Sequence, residues 1–572
     1  MKFIIKHKVS IFLSLIVILG CVLRFWNLAA LPVSLNWDEV SHGFNAYSIL
    51  KTGMDEWGRH FPLIFRAFGD YKLPLYIYLT VIPVYFFGLS AFSVRFISAL
   101  SGVLAIPGIF LLTKELFPEK KIIVWKYSLP LEIVSAFLLS ISPWHFFISR
   151  PALEANLALT LIIFGAYYFL RFLNKRSSLL PGLIFLGFSM QAYNTARVFV
   201  PLFLVITSIV LSGKGIWQLV FPKSNKLKNI LALIIFCSSL FLVVSQVYSG
   251  EGSARYDKLK ILSASIVFQI GAARSQSNLP PIIAKAIYNR PVYFVSTAIK
   301  NYLGYFSPAF YYQTWGAQDQ FAIAGKNLLT LPVYLLSILG LVSILFKLKN
   351  HKSNQFLLIW LLLSPVAAAL TSDPPQALRP NPMIPVLIIF ASFGFAFLLE
   401  KLPKKFSEII FVIISVWIIF SFATYFYNYN TEYKVKYSSS WQYGYSQVMN
   451  FIKDYGSEYQ KIFITKRYGE PHIFYAFFTK LPPQDIQPGG DNIRFAKSDW
   501  FWTDKIDNVY FINDWQIPKT SVATLPLESG GDVSTAKSLL VTSPDHVPVN
   551  AHVIETINFL DGSPAFIITS VP

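Results

Sequence analysis

Long apolar runs recur along the first three quarters of the chain, and short basic loops separate them. A helix of about 20 apolar residues crosses the hydrocarbon core of a bilayer. The runs therefore predict an α-helical polytopic membrane protein with about 11 transmembrane helices. The predicted spans are roughly residues 10–30, 93–113, 129–148, 151–172, 178–195, 197–212, 229–248, 327–347, 355–371, 381–400 and 407–427.

The placement of lysine and arginine sets the orientation of these spans. Loops such as "KELFPEKKIIVWK", "RFLNKRSS" and "KLPKKFSE" all face the cytoplasm, as the positive-inside rule requires, if the N-terminus is cytoplasmic too. All the basic loops lie on the cytoplasmic side only if the run "PLYIYLTVIPVYFFGL" does not cross the membrane. This run is short and contains Pro83, so we predict a helix lying at the outer interface. Residues 31–92 then form a first outer loop, and residues 249–326 form a second.

The pattern changes after residue 427. Strand-like runs, "KIFIT", "NVYFIN", "HVIETINFL" and "AFIIT", alternate with the amphipathic helix pattern "SQVMNFIKDYG" and with Pro and Gly turns. We therefore predict a transmembrane domain over residues 1–427 and an extracytoplasmic α/β domain over residues 428–572.

Composition supports this architecture and narrows the partners. The chain has 572 residues, of which 54% are hydrophobic and only 14% are charged, as in an integral membrane protein. The formal net charge of +19 lies mostly in the basic loops, so it predicts contact with the lipid bilayer and no nucleic-acid partner. We expect a multi-pass protein of the plasma membrane with its active site on the extracytoplasmic side.

Two adjacent acids follow the first span, in "LNWDEVSHGFNAYSILKTG". The spacing of apolar residues predicts a short amphipathic helix that Asn36 or Asp38 caps and Gly53 ends. Asp38 and Glu39 at this depth suit a group that accepts a proton, although a plain N-cap also explains Asp38. A second acidic pair, Asp55 and Glu56, lies past Gly53, and we expect it in a loop.

Further polar residues lie at the outer ends of the predicted spans or, in the case of Tyr71 and Lys72, just before the interfacial helix. Ionisable groups at membrane depth are costly and are therefore functional candidates. For any single arginine, snorkelling to headgroups is the alternative. An ion pair between Arg150 and Glu154, which are four residues apart, is a second alternative. The candidates are Tyr71, Lys72, Arg95, Arg150, Tyr193, Arg197, Asp373 and Arg379.

Metal and nucleotide motifs are absent from the sequence. No His-x-x-x-His pair, phosphate-binding Gly-rich loop or nucleophile elbow occurs. We therefore predict that no cofactor is required and that no dedicated metal site exists. A single divalent cation held by Asp38 or Glu39 stays open.

Five short motifs together resemble a known family. "WDE", "TGMDEWG", "YKLPLYIYL", "SVRFISALSG" and "SPWHFFISRPALEA" look like the bacterial protein O-mannosyltransferase and aminoarabinose–lipid A transferase superfamily, similar to glycosyltransferase family 39. Its members are glycosyltransferases of the GT-C fold that use polyprenyl-phosphate sugars. The resemblance covers residues 1–200 well and residues 201–427 more loosely, through "ALRPNPMIP".

This resemblance implies a function and assigns roles to the candidate residues. Asp38 maps onto the family's catalytic carboxylate, with Glu39 as its neighbour, while Lys72 and Arg95 map onto basic residues that bind the donor phosphate. Further expected phosphate-binding residues are Arg150 and Arg379, and expected substrate-binding residues are His42, Tyr71, Tyr193 and Arg197.

The implied reaction moves a sugar, with a hexose such as mannose as the default, from a polyprenyl-phosphate-linked donor to an acceptor hydroxyl with inversion. The acceptor can be a protein, a lipid or a glycan, and we expect the loop with Asp55 and Glu56 to contact it. Two alternatives are a transporter or flippase of lipid-linked sugars and a non-catalytic envelope assembly subunit. The absence of an internal repeat weakens the transporter alternative.

Overall fold

The structure is a computed structural model that describes residues 8–125, 127–212, 226–312, 319–346, 351–372, 375–517 and 520–572. Its helices are α1 (Lys8–Phe25), α2 (Trp37–Thr52), α3 (Pro74–Phe87), α4 (Ala91–Leu116), α5 (Leu131–Ser140), α6 (Pro143–Ile148), α7 (Glu154–Leu173), α8 (Leu180–Ala192), α9 (Asn194–Ser212), α10 (Lys226–Tyr248), α11 (Ala254–Leu259), α12 (Ala264–Ser275), α13 (Pro281–Ile287), α14 (Arg290–Gly304), α15 (Pro308–Tyr312), α16 (Leu331–Leu345), α17 (Lys352–Leu363), α18 (Val366–Ala369), α19 (Met383–Lys401), α20 (Lys404–Asn428), α21 (Tyr445–Tyr455), α22 (Pro471–Phe478) and α23 (Pro483–Ile486).

Shorter helical turns and the strands complete the described chain. A π-helical turn, Tyr429–Tyr433, and the turn Lys434–Lys436 follow α20, and 3₁₀ turns occupy Gly456–Glu458, Asp514–Gln516 and Pro544–His546. The strands are β1 (Phe65–Ala67), β2 (Asp70–Lys72), β3 (Lys121–Val124), β4 (Tyr127–Pro130), β5 (Lys461–Thr465), β6 (Asn492–Lys497), β7 (Trp500–Ile506), β8 (Val509–Ile512), β9 (Thr524–Pro526), β10 (Asp532–Ser534), β11 (Ser538–Thr542), β12 (His552–Asn558) and β13 (Pro564–Val571).

The chain divides into two compact units. The helical unit comprises Met1–Trp26, Ser98–Ser149 and Glu154–Phe426, and the loop–sheet unit comprises Asn27–Ile97, Arg150–Leu153 and Tyr427–Pro572. Residues 27–97, which include the predicted first outer loop, thus group with the C-terminal domain. The reason is close packing of α2, where a Cβ on Gly43 would lie 2.6 Å from the ring of Phe477 in α22.

The helical unit contains most of the predicted spans. Within the described ranges, seven helices are long and apolar enough to cross a membrane, namely α1, α4, α7, α9, α10, α19 and α20. Two predicted spans, 129–148 and 355–371, are each broken into two helices, at Pro143 and at Pro365. Proline removes a backbone donor and clashes with the preceding turn, which explains both breaks. The sequence stays apolar across each break, so hydropathy alone predicted a single helix.

Small residues bring two helices of this unit into backbone contact. A Cβ on Gly340 of α16 would lie 1.9 Å from the carbonyl oxygen of Phe390, and one on Gly394 of α19 would lie 2.1 Å from that of Leu336. Glycine at such a crossing is a typical device of membrane helix packing. It explains why α16 and α19 pack so closely.

The C-terminal part of the loop–sheet unit is a mixed sheet of seven strands. Their order is β12-β13-β11-β5-β8-β7-β6, with β5 parallel to both of its neighbours and the remaining pairs antiparallel. The four predicted strand segments form β5, β8, β12 and β13, and the predicted amphipathic helix forms α21. The predicted α-helical membrane protein with a C-terminal α/β domain is confirmed.

The predicted first outer loop, residues 31–92, contains α2, the β1–β2 hairpin and α3. Helix α3 has 14 residues and contains Pro83. At about 1.5 Å per residue it measures roughly 21 Å, which is shorter than a hydrocarbon core of about 30 Å. Its C-terminal half exposes Tyr85 and Phe86. These features fit the interfacial helix that the sequence predicts.

Candidate active site

Helix α2 carries the adjacent acids in its first turn. The Asn36 side chain accepts a hydrogen bond from the Glu39 N–H at 2.9 Å, and the Glu39 carboxylate accepts one from the Asn36 N–H at 3.2 Å. This capping box fixes the start of the helix, and Gly53, with φ of 71°, ends it. The predicted helix and its end are confirmed, and the cap is Asn36. The helix is buried on most sides, not only on one face.

Glu39 points into the protein. Its side chain is 1% exposed, and Arg95, which is fully buried, contacts both oxygens, with Nε 2.9 Å from Oε1 and Nη2 3.0 Å from Oε2. The Ala152 N–H also donates to Oε1, at 2.8 Å. A bidentate guanidinium–carboxylate pair of this kind is strong and geometrically specific.

Two arginines hold the loop that precedes α2. Besides Glu39, Arg95 donates to the carbonyl oxygens of Leu28 (3.1 Å), Pro32 (2.8 Å) and Ser34 (2.6 Å), so its five N–H groups match five acceptors. Arg150 donates to the carbonyl oxygens of Asn27 and Leu31, at 3.3 and 3.1 Å, and its guanidinium lies 5.5 Å from the ring centroid of Tyr429.

Asp38 has a different environment from Glu39. Its side chain is 40% exposed, and its Oδ1 lies 2.8 Å from Nζ of Lys72, which is 11% exposed. Lys72 ends β2, where it pairs with Phe65, and Pro74 begins α3 two residues later. The hairpin therefore places a lysine ammonium directly beside the more accessible of the two acids.

The remaining candidates of the first loop face the protein interior to different degrees. Tyr71 is half-buried, with its ring edge-on to Phe501 at a centroid distance of 6.1 Å. His42 is fully buried, with its ring centroid 5.3 Å from that of Tyr76. The structure thus places His42 in the packing of α2 and leaves Tyr71 partly accessible.

Three sequence-predicted candidates lie in the helical unit. Tyr193 stands between α8 and α9. Arg197 on α9 donates to the Met190 carbonyl at 3.1 Å and also to the side chain of Gln246 on α10. Arg379 is 7% exposed and donates to the Thr371 hydroxyl at 2.7 Å. Asp373 lies outside the described residues.

The second acidic pair lies in a loop, as expected, but it is buried, which argues against the predicted contact with the acceptor. Asp55 accepts hydrogen bonds from the Trp57 and Arg59 N–H groups, at 2.9 and 2.8 Å. Glu56 is 1% exposed and pairs with Arg494 of β6 at 2.8 Å. Burial raises the pKa of both carboxyl groups, and the positive charge of Arg494 opposes the shift. These acids serve the packing of the loop against the C-terminal domain.

Sequence reasoning missed the partners that the C-terminal domain supplies to α2 and the turn after it. The guanidinium of Arg494 lies 3.4 Å from the ring centroid of Trp57. Gln487 donates to the Ser48 and Thr52 hydroxyls, at 3.0 and 3.1 Å. These contacts join residues more than 430 positions apart, as with Gln487 and Ser48. No local sequence pattern could have shown them.

Glu470 is a further buried acid that the sequence did not single out. It accepts a hydrogen bond from the Trp500 indole at 2.7 Å, and its Oε2 lies 3.5 Å from Nδ1 of His472. Burial raises the pKa of Glu470 to about 7 and lowers that of His472 well below its usual value, so the histidine stays neutral around pH 7.

We expect Glu470→Gln to stabilise the protein at neutral pH. The wild-type carboxyl ionises near pH 4.5 in the unfolded chain and near pH 7 in the folded one, so the folded state loses stability as the pH rises between these values. The amide cannot ionise. Unfolding midpoints should therefore match the wild type at pH 4 and exceed it by several degrees at pH 7.5.

Glu528→Gln is the matched control for this measurement. A hydrogen bond from Lys497 lowers the pKa of Glu528, so this carboxylate stabilises the fold at neutral pH and loses that effect on acidification. The control should lower the midpoint slightly at pH 7.5. A Glu470→Gln variant that is less stable than wild type at pH 7.5 would contradict the prediction.

The acids at α2 do not fit a divalent cation in this arrangement. Glu39 already accepts from Arg95, Ala152 and Asn36, and Asp38 faces an ammonium group. In the part of the chain that the structure describes, no three His, Cys, Asp or Glu side chains are grouped so as to hold a metal ion.

Comparison with known proteins places this geometry in a fold. No family model matches the sequence, and no curated protein matches it. Among solved structures, ArnT from Cupriavidus metallidurans bound to undecaprenyl phosphate has a TM-score of 0.51 at 11% identity, covering 99% of this chain and 98% of ArnT. The chain has the GT-C fold.

A second structure of the GT-C fold is also similar. The archaeal oligosaccharyltransferase AglB from Archaeoglobus fulgidus, in complex with an inhibitory peptide and a dolichol-phosphate, has a TM-score of 0.50 at 14% identity. The match covers 85% of this chain and 65% of AglB, so the chain spans less than two thirds of that protein. The prediction of a GT-C fold and a multi-pass membrane protein is confirmed.

Proposed function

We propose that the protein is a membrane glycosyltransferase that moves a sugar from a polyprenyl-phosphate-linked donor to an acceptor hydroxyl on the outer face of the membrane. The observation that carries the proposal is the accessible carboxylate of Asp38, 2.8 Å from Lys72, on a helix that a buried ion pair anchors. The GT-C fold supports it, since ArnT and AglB are described with undecaprenyl phosphate and dolichol-phosphate.

The proposed reaction is a single in-line displacement. The acceptor oxygen attacks the anomeric carbon, the bond from that carbon to the phosphate oxygen breaks, and the phosphate leaves with the electron pair. Asp38 accepts the hydroxyl proton as the attack proceeds. One displacement inverts the anomeric configuration, through an oxocarbenium-like transition state.

Lys72 links donor binding to the freeing of the base. In the structure its ammonium neutralises Asp38. An incoming donor phosphate competes for the same ammonium, and a phosphate that carries Lys72 away leaves Asp38 available to the acceptor. The ammonium then stabilises the negative charge on the leaving phosphate, which needs no general acid.

The other candidates divide into two groups in this proposal. Glu39, Arg95, Arg150 and His42 are fully or almost fully buried, and they act by holding the loop and helix that carry Asp38. Arg379 remains the second proposed phosphate-binding group. Tyr71, Tyr193 and Arg197 remain proposed substrate contacts.

Turnover by this mechanism is expected to survive chelation. Fixed cations on the protein stabilise the leaving phosphate, so no divalent ion has to do so. With EDTA in excess, we expect the rate to stay within about twofold of the untreated enzyme, well short of the loss seen when an essential metal is removed. Loss of activity that Mg²⁺ or Mn²⁺ restores would contradict this prediction.

The function is tested with wild-type protein in liposomes and a panel of radiolabelled polyprenyl-phosphate sugars. Glycosyl transfer releases polyprenyl phosphate and moves the label to an acceptor, which can be sought among protein, lipid and glycan fractions. A flippase would instead move the intact labelled donor across the bilayer. A panel in which no donor is cleaved would refute the proposal.

A further inference from the structure

We propose that Gln442 of the C-terminal domain is a positioning residue that sets the location of Asp38. This inference rests on the proposed function, in which Asp38 is the base. Gln442 belongs to the turn between the last membrane helix and α21, and it contacts the first residue of α2 from 405 positions away.

The Gln442 amide connects the catalytic helix to the C-terminal domain. Its Oε1 accepts a hydrogen bond from the Trp37 N–H at 2.8 Å, and its Nε2 donates to the carbonyl oxygen of Tyr468. The first N–H groups of a helix have no partner within the helix. Gln442 therefore satisfies a group that the Asn36 capping box leaves open, and it does so directly beside Asp38.

The backbone at Gln442 is held in a disfavoured conformation. Its φ is 53°, in the left-handed region that residues other than glycine rarely adopt. Hydrogen bonds fix the turn, from the Gln442 N–H to the Ser439 carbonyl at 2.9 Å and from the Tyr443 N–H to the Ser438 carbonyl at 3.0 Å. Strain of this kind persists where the surrounding structure imposes it, often at functional sites.

Gly469 provides a second contact from the C-terminal domain to Trp37. Its φ is 113°, and a Cβ at this position would lie 2.3 Å from the Trp37 ring. The indole therefore packs directly against the backbone of Gly469. Its other neighbours include Phe68, at a ring centroid distance of 6.1 Å. The C-terminal domain thus holds both the backbone and the side chain of the residue that precedes Asp38.

Loss of the contacts between Gln442 and Trp37 should displace Asp38 without weakening donor binding. A displacement of about 1 Å in a reacting group can reduce a rate roughly 100-fold. Lys72 lies on β2, and the Gln442 side-chain amide bonds to Trp37 and Tyr468 rather than to that strand. We therefore expect a change in kcat with little change in the KM for the donor.

The test is Gln442→Gly in the full-length protein. Glycine accepts the left-handed backbone, which offsets the lost hydrogen bond, so the unfolding midpoint should stay near the wild-type value. We expect kcat to fall about 10- to 100-fold with the donor KM within about twofold. Hydrogen exchange at the amides of residues 37–39 should become about tenfold faster, because one hydrogen bond is lost there. Exchange in the C-terminal sheet should stay at the wild-type rate.

Two further variants separate positioning from general destabilisation. Gly531→Ala places a side chain at a φ of 82° in the turn between β9 and β10, outside the turn that carries Gln442. It should lower the midpoint with kcat per folded molecule unchanged. Gly469→Ala should reproduce the kcat loss, because its Cβ would displace both the Trp37 ring and the Gln442 amide.

The outcomes distinguish this inference from the proposed function. Combined with Asp38→Asn, Gln442→Gly should cost nothing more, because its effect passes through Asp38. An active wild type with a fully active Gln442→Gly variant, or unchanged exchange at residues 37–39, refutes the positioning role alone. An inactive wild type refutes the proposed function and this inference with it.

Discussion

Asp38→Asn is expected to reduce kcat about 100- to 10,000-fold, the range that a positioned general base contributes. Asparagine keeps the size of the side chain and removes its basicity. Because the substitution also frees the Lys72 ammonium from its 2.8 Å ion pair, donor affinity should hold or improve. The measurement is turnover of a labelled polyprenyl-phosphate sugar, with donor binding followed separately.

The control for this variant is Asp561→Asn. Asp561 lies in the turn between β12 and β13, where its carboxylate accepts hydrogen bonds from the Ser563 N–H and hydroxyl. The substitution removes the same charge from the C-terminal domain, and activity should be unchanged. Transfer at the wild-type rate in Asp38→Asn would remove Asp38 from the role of base and would shift attention to another proton acceptor.

Glu39→Gln is expected to have the largest effect on stability. It leaves the fully buried Arg95 guanidinium without its counter-charge, and breaking a buried pair in this way costs about 3–5 kcal/mol. For a unit of this size that corresponds to a fall of about 10 °C in the unfolding midpoint. Thermal unfolding in detergent, followed by light scattering and intrinsic fluorescence, would measure it.

An exposed pair in the helical unit provides the comparison. Lys120 and Glu400 lie 2.6 Å apart, but their side chains are 25% and 47% exposed. Solvent screens such a pair, so Glu400→Gln should cost at most about 1 kcal/mol. If the two variants shift the midpoint equally, the Glu39–Arg95 pair does not anchor the loop and the helix as the geometry indicates.

The sequence predicted local features of the site well. The helix that carries Asp38 and its Gly53 end follow from residues within one stretch, because caps and apolar spacing are local signals. Four of the seven strands of the C-terminal sheet were predictable for the same reason. The GT-C fold came from a resemblance in the order of motifs, which the structural comparison confirms.

The different environments of Asp38 and Glu39 were not predictable. The two acids are adjacent, and only the tertiary partners Arg95 and Lys72 show that one is buried and the other accessible. The helix breaks at Pro143 and Pro365 were not predicted either, because a hydropathy window averages over a break. The contacts of Gln442 with Trp37 and of Arg494 with Glu56 could be identified only from the three-dimensional structure.

The long separation between α2 and its partners sets the order in which the protein can mature. Trp37 leaves the ribosome 405 residues before Gln442, and Glu56 leaves 438 residues before Arg494. At about 5–20 residues per second, these groups wait roughly 20 to 90 seconds for their hydrogen bonds. The helix that carries Asp38 therefore reaches its final setting only after residues 442–494 have been synthesised, and a nascent chain that stops at the end of α20 still lacks these partners.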